Sequence, residues 1–309
     1  MKIAYLISAY TDPNQLKRLI VSLYVKDETF FFIHIDRKVD IFPFQTKLDE
    51  LNISKDAIKL LKNRIYTTWG GYSQCKYQKA LLDSCIAANI NFDRVFFLSG
   101  TDYPIWSNQK IFQFLEKNKN KEFINGRELI KSSNKRQINK VKKYHFFRDI
   151  KCNNNLRRYI TAFSRRVFEV LPINKKTYIN LNEGLFKIYF GSMYICITFE
   201  LAKYISQKME DKKLIKYFKT SLIPDELMIP SIVFNSKYKI NAKEINNPEA
   251  TFEDLTPIHL VDYGKQIKVF TDEDFEKIIE SGKMFLRKTL SGKSDKLIEM
   301  IEEKRSNEK

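Results

Sequence analysis

The stretch "RVFFLSGTDYPIW", residues 94–106, decides how the chain reads. An apolar run from Val95 to Leu98 stops abruptly at Ser99-Gly100-Thr101-Asp102-Tyr103-Pro104. This is the pattern of a buried strand breaking into a turn, with one carboxylate, Asp102, at its tip. Upstream, "KIAYLIS" (2–8) and "TFFFIHI" (29–35) are apolar runs of the same kind, and "RIYTT" (64–68) predicts a further short strand. Between them lie helical patterns: "QLKRLIVSLY" opened by Asp12-Pro13, an amphipathic segment over 46–62, and "QCKYQKALLDSCIAA". Ser107 is placed to cap a helix through "IFQFLEK", and "EFING" (122–126) reads as another strand.

Strands apolar throughout, separated by helices, predict a mainly parallel sheet covered on both faces. Ligands then bind outside the carboxyl ends of the strands. The candidate loops are Ser8-Ala9-Tyr10, His34-Ile35-Asp36, Trp69-Gly70-Gly71 and Ser99 to Pro104. No GxGxxG follows the first strand and no GxxxxGK[ST] occurs, which disfavours simple dinucleotide binding and P-loop chemistry.

The chain has 309 residues, enough for a substantial core. Nine glycines and eight prolines leave little room for long flexible linkers. The longest uncharged run near the middle, "IYFGSMYICITF" (188–199), is too short to span a bilayer. The N-terminal apolar run is read as a first strand rather than a signal peptide. Cys75, Cys85, Cys152 and Cys196 show no CxxC and no metal-type spacing with histidine, as expected of reduced thiols in a cytoplasmic protein. Net charge is +17, and residues 131–172 hold twelve Lys/Arg against two acids, +10 within 42 residues. Such a stretch suits nucleic acid, an anionic membrane surface or a phosphorylated ligand. No zinc finger or RNP-like motif accompanies it, so nucleic acid is not the expected partner.

Asp225 and Glu226 follow Pro224 at a helix start, where acids suit the positive helix end. Neighbouring helical residues point roughly 100° apart. They cannot flank a glycosidic bond as a hydrolase pair does, so one base with a structural neighbour is the better chemistry. Asp272-Glu273-Asp274 spells D-x-D, but Thr271 before it makes a helix-capping box the expected role. His34, His145 and His259 have no metal-binding spacing, and Ser99 lacks the GxSxG context of a nucleophile. Arg287-Lys288 is a cationic pair able to neutralise a diphosphate.

Six segments in order carry a family resemblance: "FIHIDRK" (32–38), "TTWGGYSQCKYQKALL" (67–82), "RVFFLSGTDYPI" (94–105), "YFGSMYICIT" (189–198), "IPDELMIPSIVFNS" (223–236) and "MFLRK" (284–288). Together they resemble the core-2/I-branching β-1,6-N-acetylglucosaminyltransferase family, which includes peptide O-xylosyltransferases, here of a bacterial type. The resemblance spans about residues 2–290 and is weakest over 127–185. It implies an α/β, GT-A-like fold, a Rossmann-like sheet flanked by helices. One catalytic domain over 1–309 is expected, with a nucleotide-sugar half (1–125), a basic helical insertion (126–187) and an acceptor half (188–309).

The resemblance also implies inverting transfer from a UDP-sugar, GlcNAc first, with UDP-xylose or another UDP-hexose as the alternative donor. No metal and no other cofactor are expected. Glu226 maps to the general base and Lys288, with Arg287, to the diphosphate contact. Ser8, His34 and Asp36 fall on the donor side. Trp69, Gly70, Ser99, Asp102, Gly191, Ser192, Asp225 and Glu128 are assigned to the sugar or acceptor. Many members carry a diphosphate-binding arginine where this chain reads "IHLVDYG" (258–264), so His259 stands near that place. A neutral imidazole is a weaker phosphate partner. The expected acceptor is an oligosaccharide or lipid-linked glycan, at the cytoplasmic face of a membrane reached through 131–172. A rival from another class is a catalytically silent basic protein that binds nucleic acid or glycan; salt-sensitive nucleic-acid binding without UDP binding would mark it.

Overall fold

A computed structural model describes residues 1–171, 173–264 and 266–308. Pro172, the last residue of the basic stretch, therefore lies outside the described residues. The first half alternates as expected: β1 (Ile3–Ala9), α1 (Pro13–Leu23), β2 (Thr29–Ile35), α2 (Phe42–Asp49), β3 (Ile58–Leu60), α3 (Ser73–Ile86), β4 (Arg94–Ser99), β5 (Asp102–Pro104), α4 (Asn108–Lys117) and β6 (Asn125–Glu128). Strands β1 to β4 pair in parallel. The antiparallel β10 (Cys196–Thr198) closes one edge, giving the order β10-β4-β1-β2-β3.

Alternation along the strands builds two cores. Ile3, Tyr5, Ile7, Phe96 and Leu98 face α1 and α4. Ala4, Leu6, Val95 and Phe97 face α3, α7 (Phe199–Lys208) and α9 (Met228–Phe234). Each fully buried side chain of this size contributes about 1.5–3 kcal/mol. Asp12 caps α1 by accepting from the Gln15 N–H at 3.0 Å, and Ser107 caps α4 through the Lys110 N–H at 3.2 Å. The predicted helix around 46–62 lies earlier in the chain, because Pro43 sits in the first turn of α2.

The expected strand over 64–68 does not form, and the fourth parallel strand is Ile58–Leu60 instead. The polar groups of 64–68 are held by side chains rather than a ladder. Ile65 N–H donates to His34 Nε2 (2.9 Å), Thr67 N–H to Asp36 Oδ1 (3.3 Å) and Thr68 N–H to Ser73 Oγ (2.9 Å).

The basic stretch forms α5 (Lys135–Lys142) and α6 (Asn154–Val170), followed by the hairpin β7 (Tyr178–Leu181)–β8 (Gly184–Lys187). Strand β9 (Tyr189–Gly191) joins β6 and β11 (Lys243–Glu244) in a small second sheet, and α8 (Lys212–Phe218) precedes the Pro224–Glu226 turn. A third sheet pairs β12 (His259–Val261), β13 (Phe285–Arg287) and β5, backed by α10 (Phe275–Glu280) and α11 (Asp295–Asn307). The Thr271/Asp274 capping box is present at the D-x-D segment, and Asp274 also binds Lys268. Cys75, Cys85, Cys152 and Cys196 are all free thiols.

Candidate active site

A cavity of about 230 Å³ opens at the carboxyl ends of β1, β2 and β4. Ser8, Tyr10, His34, Asp36, Trp69 and Ser99 reach it from these strand ends and from the loop before α3. Gln74 and Tyr77 come from α3, Met193 and Tyr194 from the β9–β10 turn, and Tyr263 and Ile267 from the loop after β12. Asp225, Glu226 and Arg287 complete the wall.

Two carboxylate centres of opposite character meet here. The first is Asp102. It is fully buried, and each oxygen is used. Oδ2 accepts from the Ser99 N–H at 2.7 Å and pairs with His259 Nε2 at 3.0 Å, while Oδ1 accepts from Arg287 Nη1 at 3.0 Å. The antiparallel register of β5 and β13 sets Asp102 opposite Arg287. Burial alone would push the Asp102 pKa up, but His259, Arg287 and the Ser99 N–H hold it below the usual carboxylate range. Burial pushes the His259 pKa down, and Asp102 offsets only part of that. Its ring lies between Tyr194 and Phe285, and Nδ1 has no partner. The pair is therefore an ionised aspartate accepting from a neutral imidazole that carries its proton on Nε2.

The second centre is Asp225 and Glu226 on the single turn Pro224–Glu226. Ile223 holds the turn with a left-handed φ of 55° and donates its N–H to Gly70 O at 3.2 Å. Asp225 Oδ2 accepts from Gln74 Nε2 at 3.1 Å, while its buried Oδ1 has no partner. Glu226 faces Lys140 of α5 across 3.7 Å. Burial raises the pKa of both acids. Glu226 pushes Asp225 further up, and Lys140 pulls Glu226 partly back. A carboxylate held above its ordinary range beside a cavity is suited to accept a proton near neutrality.

The cation facing the cavity is Arg287. Its Nη1 also donates to Thr101 Oγ1 at 3.0 Å, its guanidinium carbon lies 5.2 Å from the Tyr194 ring centre, and its Nε is unpartnered. His34 stacks on Tyr77 with ring centres 5.4 Å apart, and burial pushes its pKa down to about 4. It presents a neutral imidazole to the cavity. Asp36 is anchored by the Lys38 N–H at 2.9 Å.

Several sequence assignments need correction. Lys288 does not line the cavity. Arg287, the last residue of β13, lines it, whereas Lys288 follows the strand and its backbone is tied to Lys268 and Phe270. His259 and Asp102 lie beneath the cavity without exposed surface, so neither meets a ligand directly. Glu128 is buried and paired with Lys187 at 3.2 Å and Lys131 at 3.6 Å, away from the cavity. Gly191 lets β9 pack closely: a Cβ there would sit 2.5 Å from Asn125 O and 2.9 Å from Pro230. Ser192 is buried and accepts from the Tyr194 N–H at 3.1 Å, shaping the turn that presents Tyr194. Gly70, with φ of 71°, is part of the frame rather than the lining.

The basic insertion contributes residues that the sequence did not single out. Lys140 faces Glu226, Arg148 sits 5.8 Å from the exposed Trp69 ring, and Asp149 bonds to Thr68 Oγ1 and to the Ser73 N–H at 3.1 Å. Gly71 leaves room for this contact, because a Cβ would lie 2.2 Å from Asp149 Oδ1 and 2.4 Å from Thr68 Oγ1, so these side chains would have to shift. Gln74 and Tyr77 lie in the quoted "TTWGGYSQCKYQKALL", one helical turn apart, and that spacing was a usable signal.

Among the described residues, no group of three or more His, Cys, Asp or Glu could hold a metal ion. Likewise, no helix is long and apolar enough to cross a membrane.

A mainly parallel α/β sheet with a polar cavity at its carboxyl edge is a frame that binds ligands across its strand ends. The model of the Core-2/I-Branching enzyme family matches residues 3–278, and the chain belongs to this family of glycosyltransferases. Among curated proteins it is similar to Xylosyltransferase oxt of Drosophila melanogaster, 24% identical over 231 residues, covering 73% of this chain and 23% of that protein. It is also similar to human Xylosyltransferase 2, 32% identical over 126 residues, covering 40% of this chain and 14% of that protein. The matched region is thus a small part of each relative. Among solved structures, apo mouse Xyloside xylosyltransferase 1 aligns over 79% of this chain and 85% of its own, at 10% identity and a TM-score of 0.33.

Proposed function

We propose that this chain transfers a sugar from a UDP-sugar donor to an acceptor hydroxyl with inversion, using Glu226 as the base and no divalent metal. One observation carries the reading: a carboxylate held above its ordinary range and a guanidinium with an unpartnered Nε face the same strand-end cavity. The acceptor O–H gives its proton to Glu226 as its oxygen attacks the anomeric carbon. The bond from that carbon to UDP breaks, and its electron pair leaves on the diphosphate. Arg287, rather than Lys288, stabilises that charge, and preorganised donors act most strongly in such a sheltered site. His34 and Asp36 recognise the donor; Trp69 at the mouth stacks on acceptor sugar. GlcNAc is the donor expected from the family resemblance, and the similarity to xylosyltransferases raises the alternative, xylose, to an equal candidate.

The acceptor is an oligosaccharide or lipid-linked glycan, and the basic stretch faces an anionic membrane on the cytoplasmic side. A thermal-shift screen with UDP, UDP-GlcNAc, UDP-xylose, UDP-glucose and UDP-galactose, with and without EDTA, tests the donor. Stabilisation and turnover that persist in EDTA are expected. Activity lost in EDTA and restored by Mn²⁺ would overturn the metal-free reading, and nucleic-acid binding without any response to UDP would favour the silent binder.

A further inference from the structure

Helix α6 has two kinds of apolar surface. Ser164 is buried, and Phe168 packs on Tyr144 and Phe146 with ring centres 5.9 and 5.0 Å away. That is the face turned to the protein. Leu156, Tyr159, Phe163, Val167 and Val170 recur every three or four residues, which places them on one stripe of the helix. All five are exposed, Tyr159 by 76%, Phe163 by 73% and Val170 by 85%. The stripe is about 20 Å long at 1.5 Å per residue. Leu171 and Ile173, just past the C-terminal end of the helix, are exposed too, as is Phe147, whose ring lies against Phe146, itself packed on Phe168.

The charge around this stripe selects its partner. It lies in the stretch that carries +10 net. Arg158, Arg166 and Lys151 are exposed beside it. A second copy of the chain would bring an equal excess of positive charge to the contact. Nucleic acid would answer the charge but leave Val167, Val170 and Leu156 unburied. An anionic bilayer answers both, since it takes aliphatic side chains below its headgroups and cations among them.

We propose that α6 lies flat in an anionic lipid surface with the Leu156–Val170 stripe embedded, anchoring the cavity mouth beside the bilayer. This gives a specific element to the membrane face assigned to the basic stretch above, and it rests on that assignment. Arg148 and Asp149, shortly before the helix, tie the same segment to Trp69 and Thr68 at the mouth. A lipid-linked acceptor hydroxyl would then reach the site along the plane of the membrane.

Co-sedimentation of the full chain with phosphatidylcholine vesicles, and with vesicles that also contain phosphatidylglycerol, tests the proposal. Binding is expected only to the anionic vesicles, weakening with salt. The double variant Tyr159→Ser, Phe163→Ser should lose at least about tenfold in partitioning, the expected loss for two aromatic side chains left out of an apolar phase. Arg166→Gln should lose about fivefold. Both variants should keep the wild-type melting temperature and its shift with UDP, since these side chains are exposed. The proposal is overturned if the double variant partitions like wild type, or if neutral vesicles bind equally well. It is also overturned if the stripe proves to hold a dimer in lipid-free sedimentation that the double variant dissolves. Loss of the UDP shift in wild type would count against the transferase reading alone, because vesicle binding is read independently.

Discussion

Asp102 and Glu226 stand within the wall and floor of one cavity, yet their chemistry is opposite. Asp102 has a donor on each oxygen and stays charged. Glu226 has one distant lysine and resists charge. Its neighbour Asp225 lacks a partner for one buried oxygen. Saturation makes a carboxylate structural; partial satisfaction leaves it available for a proton. The lone acid in "SGTDYP" is therefore a frame element that fixes Arg287, and of the acids after Pro224 the proposed reaction uses Glu226.

The sharpest way to break this contrast is Glu226→Gln. Turnover should fall by roughly 10²–10⁴-fold, the usual contribution of a general base, while UDP still raises the melting temperature. Asp102→Ala should do the reverse. It leaves Arg287 buried without its anion, and urea unfolding should show a loss of about 3–5 kcal/mol. UDP affinity should fall with it. If Asp102→Ala spared stability and removed only turnover, the two roles would have to be exchanged.

Finer variants sharpen the comparison. Lys140→Met removes the charge that pulls the Glu226 pKa down, so that pKa rises further. Since the base must be deprotonated, kcat/KM falls as pH drops through it. The acid limb of the profile should move to higher pH, with about tenfold activity lost on that side for each pH unit it moves. Asp225→Asn should have the smallest effect on turnover, and its signature is stability. The folded state holds Asp225 above its ordinary value, so wild type loses stability as pH rises from that ordinary value to the raised one. Asparagine escapes this loss. Chemical denaturation should show the variant more stable above that window, on the order of 1 kcal/mol for each pH unit the window spans, and level with wild type below it.

The parallel sheet was legible because β1, β2 and β4 are apolar on both faces, and the ends of such strands locate the cavity without further help. Glu226 was reachable through its motif. What stayed hidden depended on register and on long-range partners. Arg287 ends β13 and lines the cavity, while its neighbour Lys288 lies past the strand end and does not. His259 read as a stand-in for a phosphate ligand, because nothing local shows that its ring is packed between Tyr194 and Phe285. Residues 64–68 have strand-like composition, but side chains of His34, Asp36 and Ser73 claim their N–H groups first. Lys140 is one lysine among many, and only folding sets it against Glu226.

The contact between Gly71 and Asp149 has a practical consequence for hybrid enzymes. The two residues lie 78 positions apart, yet an Asp149 carboxylate oxygen, together with Thr68 Oγ1, fills the space where a Cβ would be. Any side chain at 71 requires both Asp149 and Thr68 to shift, and a replacement segment without an acceptor at 149 leaves Thr68 Oγ1 and the Ser73 N–H without that partner. Anyone exchanging the segment around 149 between relatives should therefore move the two positions together, as lock and key of one joint.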